Sequence, residues 1–375
     1  MNDSKSTKDA ATHPANPEPT AEQQERAARI TDLYAAFGIH IGPCIGVWAG
    51  PRVTRFEFQL DPDTQVAKIL QLADDISLNL SVPRVRLICP IRGRMAFGIE
   101  VPNRTERFVD FEEVLASEAF TQSGDKLRVA LGESLSGDGV CLELSTAPHV
   151  LVGGQSGSGK TTMVSTMVAS LLSTATPDEV RLLLMAPQKQ ELETYESAPH
   201  VMEPVVCDAR AAIQRLQELG RECDRRYGLF HDRAVRCLDA YNRVVEQPLC
   251  RMVILVDEMS FLTKHDRWGF ESAVCQLAQK GRAAGIHLVL TTSDLTANTV
   301  TGMIKANIPT RIALSTKNRM DSRTIMDAVG AECLLLKGDM LLGDCGMNPP
   351  QRIQAARLTP AQIQDILHQI RGETI

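Results

Sequence analysis

Ten consecutive residues, 153–162, have the types and spacing of a phosphate-binding loop: Gly-Gly-Gln-Ser-Gly-Ser-Gly-Lys-Thr-Thr. Glycines in such a loop let backbone N–H groups point inward, and the start of a following helix adds the positive end of its dipole. In the pattern G-x-x-x-x-G-K-[ST], the lysine reaches the β- and γ-phosphates of a nucleoside triphosphate and the hydroxyl holds Mg²⁺. We therefore predict ATP binding by Gly154, Gln155, Ser156, Gly157, Ser158, Gly159, Lys160, Thr161 and Thr162.

The flanks of this loop fit the same interpretation. An apolar run, His149–Val152, precedes the loop and a helix-like stretch, Met163–Leu172, follows it. This strand, loop and helix order is the context that the motif requires. A flexible Gly/Ser linker is the alternative, and it would need neither flank.

A second chemical signal lies about a hundred residues further on, where the apolar strand-like run Met252–Val256 ends in Asp257 and Glu258. Acids at the carboxyl end of a parallel strand face the ligand crevice. We expect Asp257 to hold Mg²⁺ together with Thr161, and Glu258 to activate the attacking water, with Lys160 acting on the phosphates. An acid pair that only caps the next helix is the alternative. Glu258 favours hydrolysis over phosphoryl transfer to another acceptor.

The elements around these residues predict an α/β fold. From the loop onward helices alternate with apolar strands such as Val180–Met185 and Ile286–Thr292, which indicates a parallel sheet covered by helices. A strand is also expected at Val201–Val206. Before the loop, strands at Val53–Phe58 and Ala96–Val101 and a helix at Val66–Leu80 indicate a small α+β domain.

These patterns divide the chain into four segments: a disordered tail (1–20), the small domain (21–120), the P-loop domain (121–360) and a C-terminal helix (361–375).

Composition narrows the class of protein. The net charge of −6 argues against a generally basic nucleic-acid coat protein. The ten cysteines include no C-x-x-C pair, and no apolar segment is long enough for a membrane span. We therefore expect a cytoplasmic protein without direct membrane insertion. Any DNA contact must therefore come from a local basic patch. The arginines at 84–107 and those at 221–243 are candidates, and solvated surface is the alternative for both. Lys305–Arg323 carries five cations against the single acid Asp321, a local charge of +4.

A string of motifs resembles the motor of the FtsK/SpoIIIE family of bacterial DNA translocases, in the HerA–FtsK branch of P-loop ATPases. The resemblance covers about residues 28–358. Besides the P-loop and the strand ending in Asp257-Glu258, it rests on residues 50–58 (GPRVTRFEF), 98–103 (GIEVPN), 195–200 (YESAPH), 277–288 (LAQKGRAAGIHL), 304–313 (IKANIPTRIA), 321–327 (DSRTIMD) and 338–341 (GDML).

The resemblance implies a RecA-like P-loop NTPase domain preceded by the family's α domain. It also implies a homo-hexameric ring that hydrolyses ATP with Mg²⁺ between subunits and threads double-stranded DNA through its centre. By position in residues 277–288, Arg282 would be the arginine finger that a neighbouring subunit supplies. An ordinary arginine at a helix end is the alternative for Arg282.

Three departures from the family pattern bear on function. Ala186 stands where the family has an acid after a strand, and Ser293 stands where it has a glutamine. As a third departure we expect no membrane anchor, no long linker and no C-terminal winged-helix domain, and we expect an unidentified recruiting partner in place of the anchor.

Two other functions stay open. One is a ring ATPase of a secretion or conjugation system that moves protein or a DNA–protein complex. The other is a nucleotide-binding scaffold with impaired hydrolysis.

Overall fold

The structure is a computed structural model that describes residues 18–91, 93–343 and 349–372. It divides into two compact units, one up to Arg104 and one from Thr105. Most of the predicted tail lies outside the described residues. The sequence placed the boundary between the domains near residue 120. The structure places it earlier because Val109–Asp110 pairs with a strand of the second unit, Gln351–Arg357.

The first unit is the small α+β domain. Its elements are α1 (Ala21–Ala36), β1 (Cys44–Ala49), β2 (Val53–Gln59), α2 (Val66–Gln71), α3 (Ala73–Asn79), β3 (Arg86–Ile88) and β4 (Ala96–Pro102). The four strands form an antiparallel sheet in the order β1-β2-β4-β3. Tyr34, Phe58 and Phe97 meet in its core, with ring centroids 5.6 Å apart in both contacts of Phe97.

The predicted single helix over Val66–Leu80 is wrong. The chain leaves the helical path at Leu72, which has a ψ of 6° and whose N–H donates to the carbonyl of Ile69, three residues back instead of four. Two short helices result, and each buries one isoleucine, Ile69 and Ile76.

The second unit contains the predicted P-loop fold. Its elements are β5 (Val109–Asp110), α4 (Phe111–Leu115), α5 (Glu118–Thr121), β6 (Arg128–Ser134), β7 (Gly139–Glu143), β8 (His149–Gly153), α6 (Lys160–Thr174), β9 (Val180–Met185), α7 (Ala209–Asp232), α8 (Leu238–Asn242), β10 (Arg251–Val256), α9 (Ser260–Ala284), β11 (Ile286–Thr292), α10 (Gly302–Asn307), β12 (Thr310–Leu314), α11 (Arg319–Met326), β13 (Asp339–Gly343), β14 (Gln351–Arg357) and α12 (Pro360–Arg371).

Within the described residues these strands form one ten-stranded mixed sheet. Its parallel part runs β12-β8-β11-β10-β9, which confirms the predicted α/β fold. The antiparallel strands β13, β14, β6 and β7 extend it beyond β12. The strand that bears the P-loop therefore lies inside the sheet.

Both faces of the parallel strands are covered, as their continuous apolar sequences indicate. In β10, Val253 and Leu255 enter the core on one face with residues of α6. Ile254 and Val256 enter the core on the other face with residues of α7 and α9. The predicted strand at Val201–Val206 is wrong, because only two isolated bridges join this segment to β9. Pro204 lies between them and has no N–H to donate.

Candidate nucleotide site

The P-loop lies between the end of β8 and the start of α6. Gly157 and Gly159 have φ values of +76° and +110°, which favour glycine over residues with a side chain. A Cβ at Gly159 would also lie 2.7 Å from the backbone nitrogen of Gly338. Glycine tolerates both the positive φ values and the close approach to Gly338, so the loop can take this shape.

Lys160, the first residue of α6, is held in place by its own loop. Its Nζ donates to the carbonyl oxygens of Gly154 and Gln155, at 2.8 and 3.1 Å. Burial lowers the pKa of the ammonium, and the nearby carboxylates of Glu258 and Asp257 oppose this shift. These carboxylates favour the charged ammonium that a phosphate would bind.

The two acids predicted for the site follow β10 directly. Asp257 accepts a hydrogen bond from the Thr291 hydroxyl, 2.5 Å away. Glu258 has a left-handed backbone with φ of +57°, which non-glycine residues rarely adopt. Its Oε1 accepts from the Thr292 hydroxyl at 2.9 Å, and its Oε2 accepts from the backbone N–H and the hydroxyl of Ser293 at 2.8 and 2.6 Å.

These contacts decide the protonation state of Glu258. Burial alone raises the pKa of its carboxyl, but hydrogen bonds from Ser293, Ser260 and Thr292 outweigh burial and lower the pKa below the ordinary value. Glu258 is therefore a carboxylate at neutral pH.

The loop and the acids enclose one cavity of about 550 Å³. Its walls include most of the predicted site residues: Ser156, Gly157, Gly159, Lys160, Thr161, Thr162, Asp257 and Glu258. Gly154, Gln155 and Ser158 do not line the cavity. Gln155 instead donates its N–H to the carbonyl of Ser315, and Ser158 is buried.

Four further residues on the same walls were not predicted as site residues: Pro187, Gln188, Glu191 and Lys337. Ser293, noted above as a departure from the family pattern, also lies there. Glu191 ends a 3₁₀ turn, Lys189–Glu191, after β9. Burial, followed by the charge of Asp257, raises the pKa of Glu191 to about 6. A position shortly after the carboxyl end of a parallel strand was the signal that could have identified it. Lys337 precedes β13 and had no such signal.

The donor atoms fit Mg²⁺. Thr161 and Asp257 bring a hydroxyl and a carboxylate to one cavity, and Mg²⁺ is usually held by one or two such oxygens together with phosphates and water. Among the described residues no cluster of three or more His, Cys, Asp or Glu side chains could hold a metal without such help.

A second cavity, of about 320 Å³, adjoins the first. The two cavities share Gly159, Thr162 and Lys337. The second is otherwise lined by Phe108, Val109, Gly338, Gln354, Ala355, Ala356 and Arg357. The guanidinium of Arg357 lies 4.8 Å from the centroid of the Phe108 ring. The first cavity thus carries Lys160 and the two acids, the second carries Phe108 and Arg357, and the cavities meet at the residues that they share.

Arg282 does not lie at this site. It occupies the last turn of α9, before β11 begins, and so lies at the amino-terminal edge of the parallel strands. The P-loop and Asp257 lie at the carboxyl-terminal edge, about 17 Å away for a strand of five residues. Arg282 is exposed, and its side chain forms no hydrogen bond or ion pair with any described residue.

The basic stretches differ in how far acids neutralise them. In the small domain, Arg86 and Arg55 bond to the buried Glu100 at 3.0 and 2.6 Å. On α7, Arg225 pairs with Glu222, and Arg226 is buried against the carbonyl of Ala284. These arginines fit the structural or solvated alternative.

The stretch 305–323 retains free cations. Lys305 and Arg311 pair with Asp327, and Arg319 lies 3.7 Å from Glu332. Lys317 and Arg323 are exposed and have no ion pair with any residue that the structure describes.

The two residues that depart from the family pattern, Ala186 and Ser293, have different surroundings. Ala186 is fully buried after β9, and its N–H donates to the carbonyl of Val206. Ser293 lies on the cavity wall and bonds to Glu258.

In the described parts of the chain, no helix is both long and apolar enough to cross a membrane.

Comparison with known proteins identifies the family. Residues 110–297 match the FtsK/SpoIIIE family, and residues 6–103 match the FtsK alpha domain. The chain is 41% identical over 334 residues to the DNA translocase SftA of Bacillus subtilis (strain 168), covering 88% of this chain and 35% of that protein. It is 39% identical over 345 residues to a DNA translocase FtsK of Caldanaerobacter subterraneus subsp. tengcongensis, covering 92% of this chain and 48% of that protein.

The chain thus spans half or less of the length of these relatives. Among solved structures, the pCW3 conjugation coupling protein TcpA, in its monomer form with ATPgS, has the same fold, with a TM-score of 0.63 at 18% identity, covering 92% of this chain and 99% of that one. The family matches extend over both structural units, and the P-loop, Asp257 and Glu258 lie within the matched segments. The chain therefore belongs to the FtsK/SpoIIIE family.

Proposed function

We propose that this chain is an ATP-hydrolysing motor that moves double-stranded DNA through a homo-hexameric ring. The observation that carries the proposal is the convergence of Lys160, Thr161, Asp257 and Glu258 on one cavity. Family membership and the names of the relatives, which are DNA translocases, support DNA as the substrate.

In the proposed hydrolysis, Lys160 and the N–H groups of the P-loop bind the phosphates and offset their charge. Glu258 accepts a proton from the attacking water, which its ionised state allows. Mg²⁺, held by Thr161 and Asp257, would supply further charge stabilisation to the phosphates. The base and ribose of ATP would occupy the second cavity, where Phe108 offers an aromatic face.

The position of Arg282 supports a ring. A guanidinium at the opposite edge of the sheet cannot reach the cavity of its own subunit, but it is free to enter the cavity of a neighbour. Arginine supplied across an interface stabilises transition-state charge and couples adjacent subunits.

We propose that DNA contacts Arg323 in α11 and Lys317 just before this helix. Lys317 and Arg323 are the exposed, unneutralised cations described above. Gln155 links this region to the P-loop, because its backbone N–H donates to the Ser315 carbonyl at 2.8 Å and its amide donates to the Ser315 hydroxyl at 3.1 Å. Nucleotide state and DNA contact would be connected through these bonds.

The test is steady-state ATPase activity with and without linear duplex DNA, for wild type and Glu258→Gln. We expect DNA to stimulate hydrolysis, and Glu258→Gln to lower the rate by about 10²–10⁴-fold while nucleotide still binds. A rate of ATP hydrolysis that DNA does not change but that a protein substrate raises would favour the secretion or conjugation function. Nucleotide binding without hydrolysis under any condition would favour the scaffold.

A further inference from the structure

Lys337 lies just before Gly338 and β13. Its φ of +65° places it in the left-handed region, which non-glycine residues rarely adopt and which is costly for them. Such backbone strain concentrates at ligand-binding sites, where the surrounding structure enforces it.

Hydrogen bonds fix this backbone against the P-loop. The N–H of Gly338 donates to the carbonyl of Ser158 at 2.7 Å. The side-chain amide of Gln354 donates to the carbonyl of Lys337 at 2.9 Å. Lys337 is thus attached to the P-loop on one side and to β14 on the other.

The side chain of Lys337 is exposed and lines both cavities. Within the described ranges it forms no hydrogen bond or ion pair, whereas Lys160, the other lysine on these walls, bonds to its own loop. Lys337 therefore brings a positive charge that no described group neutralises to the junction of the two cavities.

The order of residues along the site indicates which part of a nucleotide meets this charge. Asp257 and Glu258 line only the first cavity, so the γ-phosphate end lies there. Phe108 and Arg357 line only the second cavity, which would take the nucleoside. The α- and β-phosphates connect these ends and must pass the junction.

We propose that Lys337 binds the α- and β-phosphates of the nucleotide, on the part that ATP and ADP share. The inference rests on the proposed nucleotide site. It adds a second cation from the same subunit, distinct from the P-loop lysine and from any arginine of a neighbour.

The test is equilibrium binding of fluorescent ATP and ADP analogues, with Mg²⁺ present and DNA absent. Lys337→Ala should weaken both nucleotides by the same factor, about tenfold or more, because each loses one charge-assisted contact. Lys337→Arg should bind nearly as wild type does. Lys264→Ala removes an exposed lysine that lines neither cavity and is the matched control.

A second variant separates charge from backbone strain. Lys337→Gly relieves the strain at φ of +65° and removes the charge, and it should weaken binding as Lys337→Ala does. Normal binding by Lys337→Gly, or normal binding by Lys337→Ala, would overturn the inference. A loss for ATP alone would place the lysine at the γ-phosphate and would also overturn it. If wild type binds neither nucleotide, the proposed function itself fails.

Discussion

Ser293 donates both its hydroxyl and its backbone N–H to the same oxygen of Glu258, Oε2, at 2.6 and 2.8 Å. The two residues follow neighbouring parallel strands, β11 and β10, so the sheet brings them together. The serine that departs from the family pattern therefore contacts the proposed base directly. It stabilises the carboxylate, which makes the carboxylate a weaker base.

Ser293→Ala should raise the rate of ATP hydrolysis by about two- to fivefold, because losing one hydrogen bond moves the pKa of Glu258 toward its ordinary value and a base of higher pKa accepts a proton more readily. Steady-state turnover at saturating ATP measures this. Ser293→Thr keeps the hydroxyl and is the control. A slower alanine variant would show that the hydroxyl orients Glu258 productively.

Lys160→Ala should weaken nucleotide binding by about 10- to 100-fold, since a charged hydrogen-bond donor to phosphate is lost. Fluorescent-nucleotide titration measures the effect. Lys264→Ala, which changes the charge by the same amount away from the cavity, should bind as wild type does. If Lys160→Ala bound nucleotide with unchanged affinity, the P-loop would not be the nucleotide-binding site.

A ring made only of Arg282→Ala subunits should not hydrolyse ATP. Mixing these subunits with Lys160→Ala subunits should restore hydrolysis. Lys160→Ala subunits carry an intact Arg282, and Arg282→Ala subunits carry an intact cavity. A mixture of the two inactive variants should regain hydrolysis, because some interfaces then contain both functional parts. If the mixture stays inactive while wild-type subunits mixed with either variant remain active, Arg282 does not act across the interface.

Lys317→Ala and Arg323→Ala should each weaken duplex DNA binding at every sequence tested. Each should also lower the slope of log K against log salt by about one, because one phosphate contact is lost. Binding measured at several salt concentrations gives this slope. Arg225→Ala, which removes a cation paired with Glu222 on α7, should leave it unchanged. An equal decrease in all three variants would mean that general charge, not α11, attracts DNA.

Glu191 gives a prediction about pH and stability. Burial and the nearby Asp257 raise its pKa from 4.5 to about 6 in the folded protein. A raised pKa means that the folded protein favours the protonated carboxyl. The stability that protonated Glu191 contributes is therefore fully present below pH 4.5, and it is lost as the pH rises through 6 and the carboxyl ionises. Without nucleotide or divalent cations, Glu191→Gln should melt about 1–2 °C above wild type at pH 8, a small effect because the carboxyl is largely solvated.

The difference in melting temperature between Glu191→Gln and wild type should disappear at pH 4.5 or below. Thermal melts across this pH range measure it. A wild type that is the more stable protein at pH 8 would show that Glu191 is stabilised as a carboxylate instead.

Strong local patterns were sufficient to predict the parallel strands and the P-loop. β10 contains the apolar run Met252–Val256 and β11 the apolar run Leu288–Leu290, as burial on both faces of a parallel sheet requires. β14 was not predicted, because Gln351–Arg357 contains a single β-branched residue, Ile353, and depends on pairing with β13 and β6.

In the candidate site, too, residues that depend on long-range contacts could not be predicted from the sequence. Lys160, Asp257 and Glu258 could be predicted because the motif itself carries their chemistry. Lys337 is brought to the P-loop by the long-range contact of Gly338 with Ser158. No local sequence pattern records that contact.

Movement along DNA is the central claim, and displacement of a triplex-forming strand from linear duplex DNA tests it most directly. Wild type with ATP should release the third strand, and release should fail with Glu258→Gln. Release should also fail when a non-hydrolysable analogue replaces ATP. ATP hydrolysis that DNA stimulates without any strand release would contradict the account, because the energy of the nucleotide would then not be used to move along DNA.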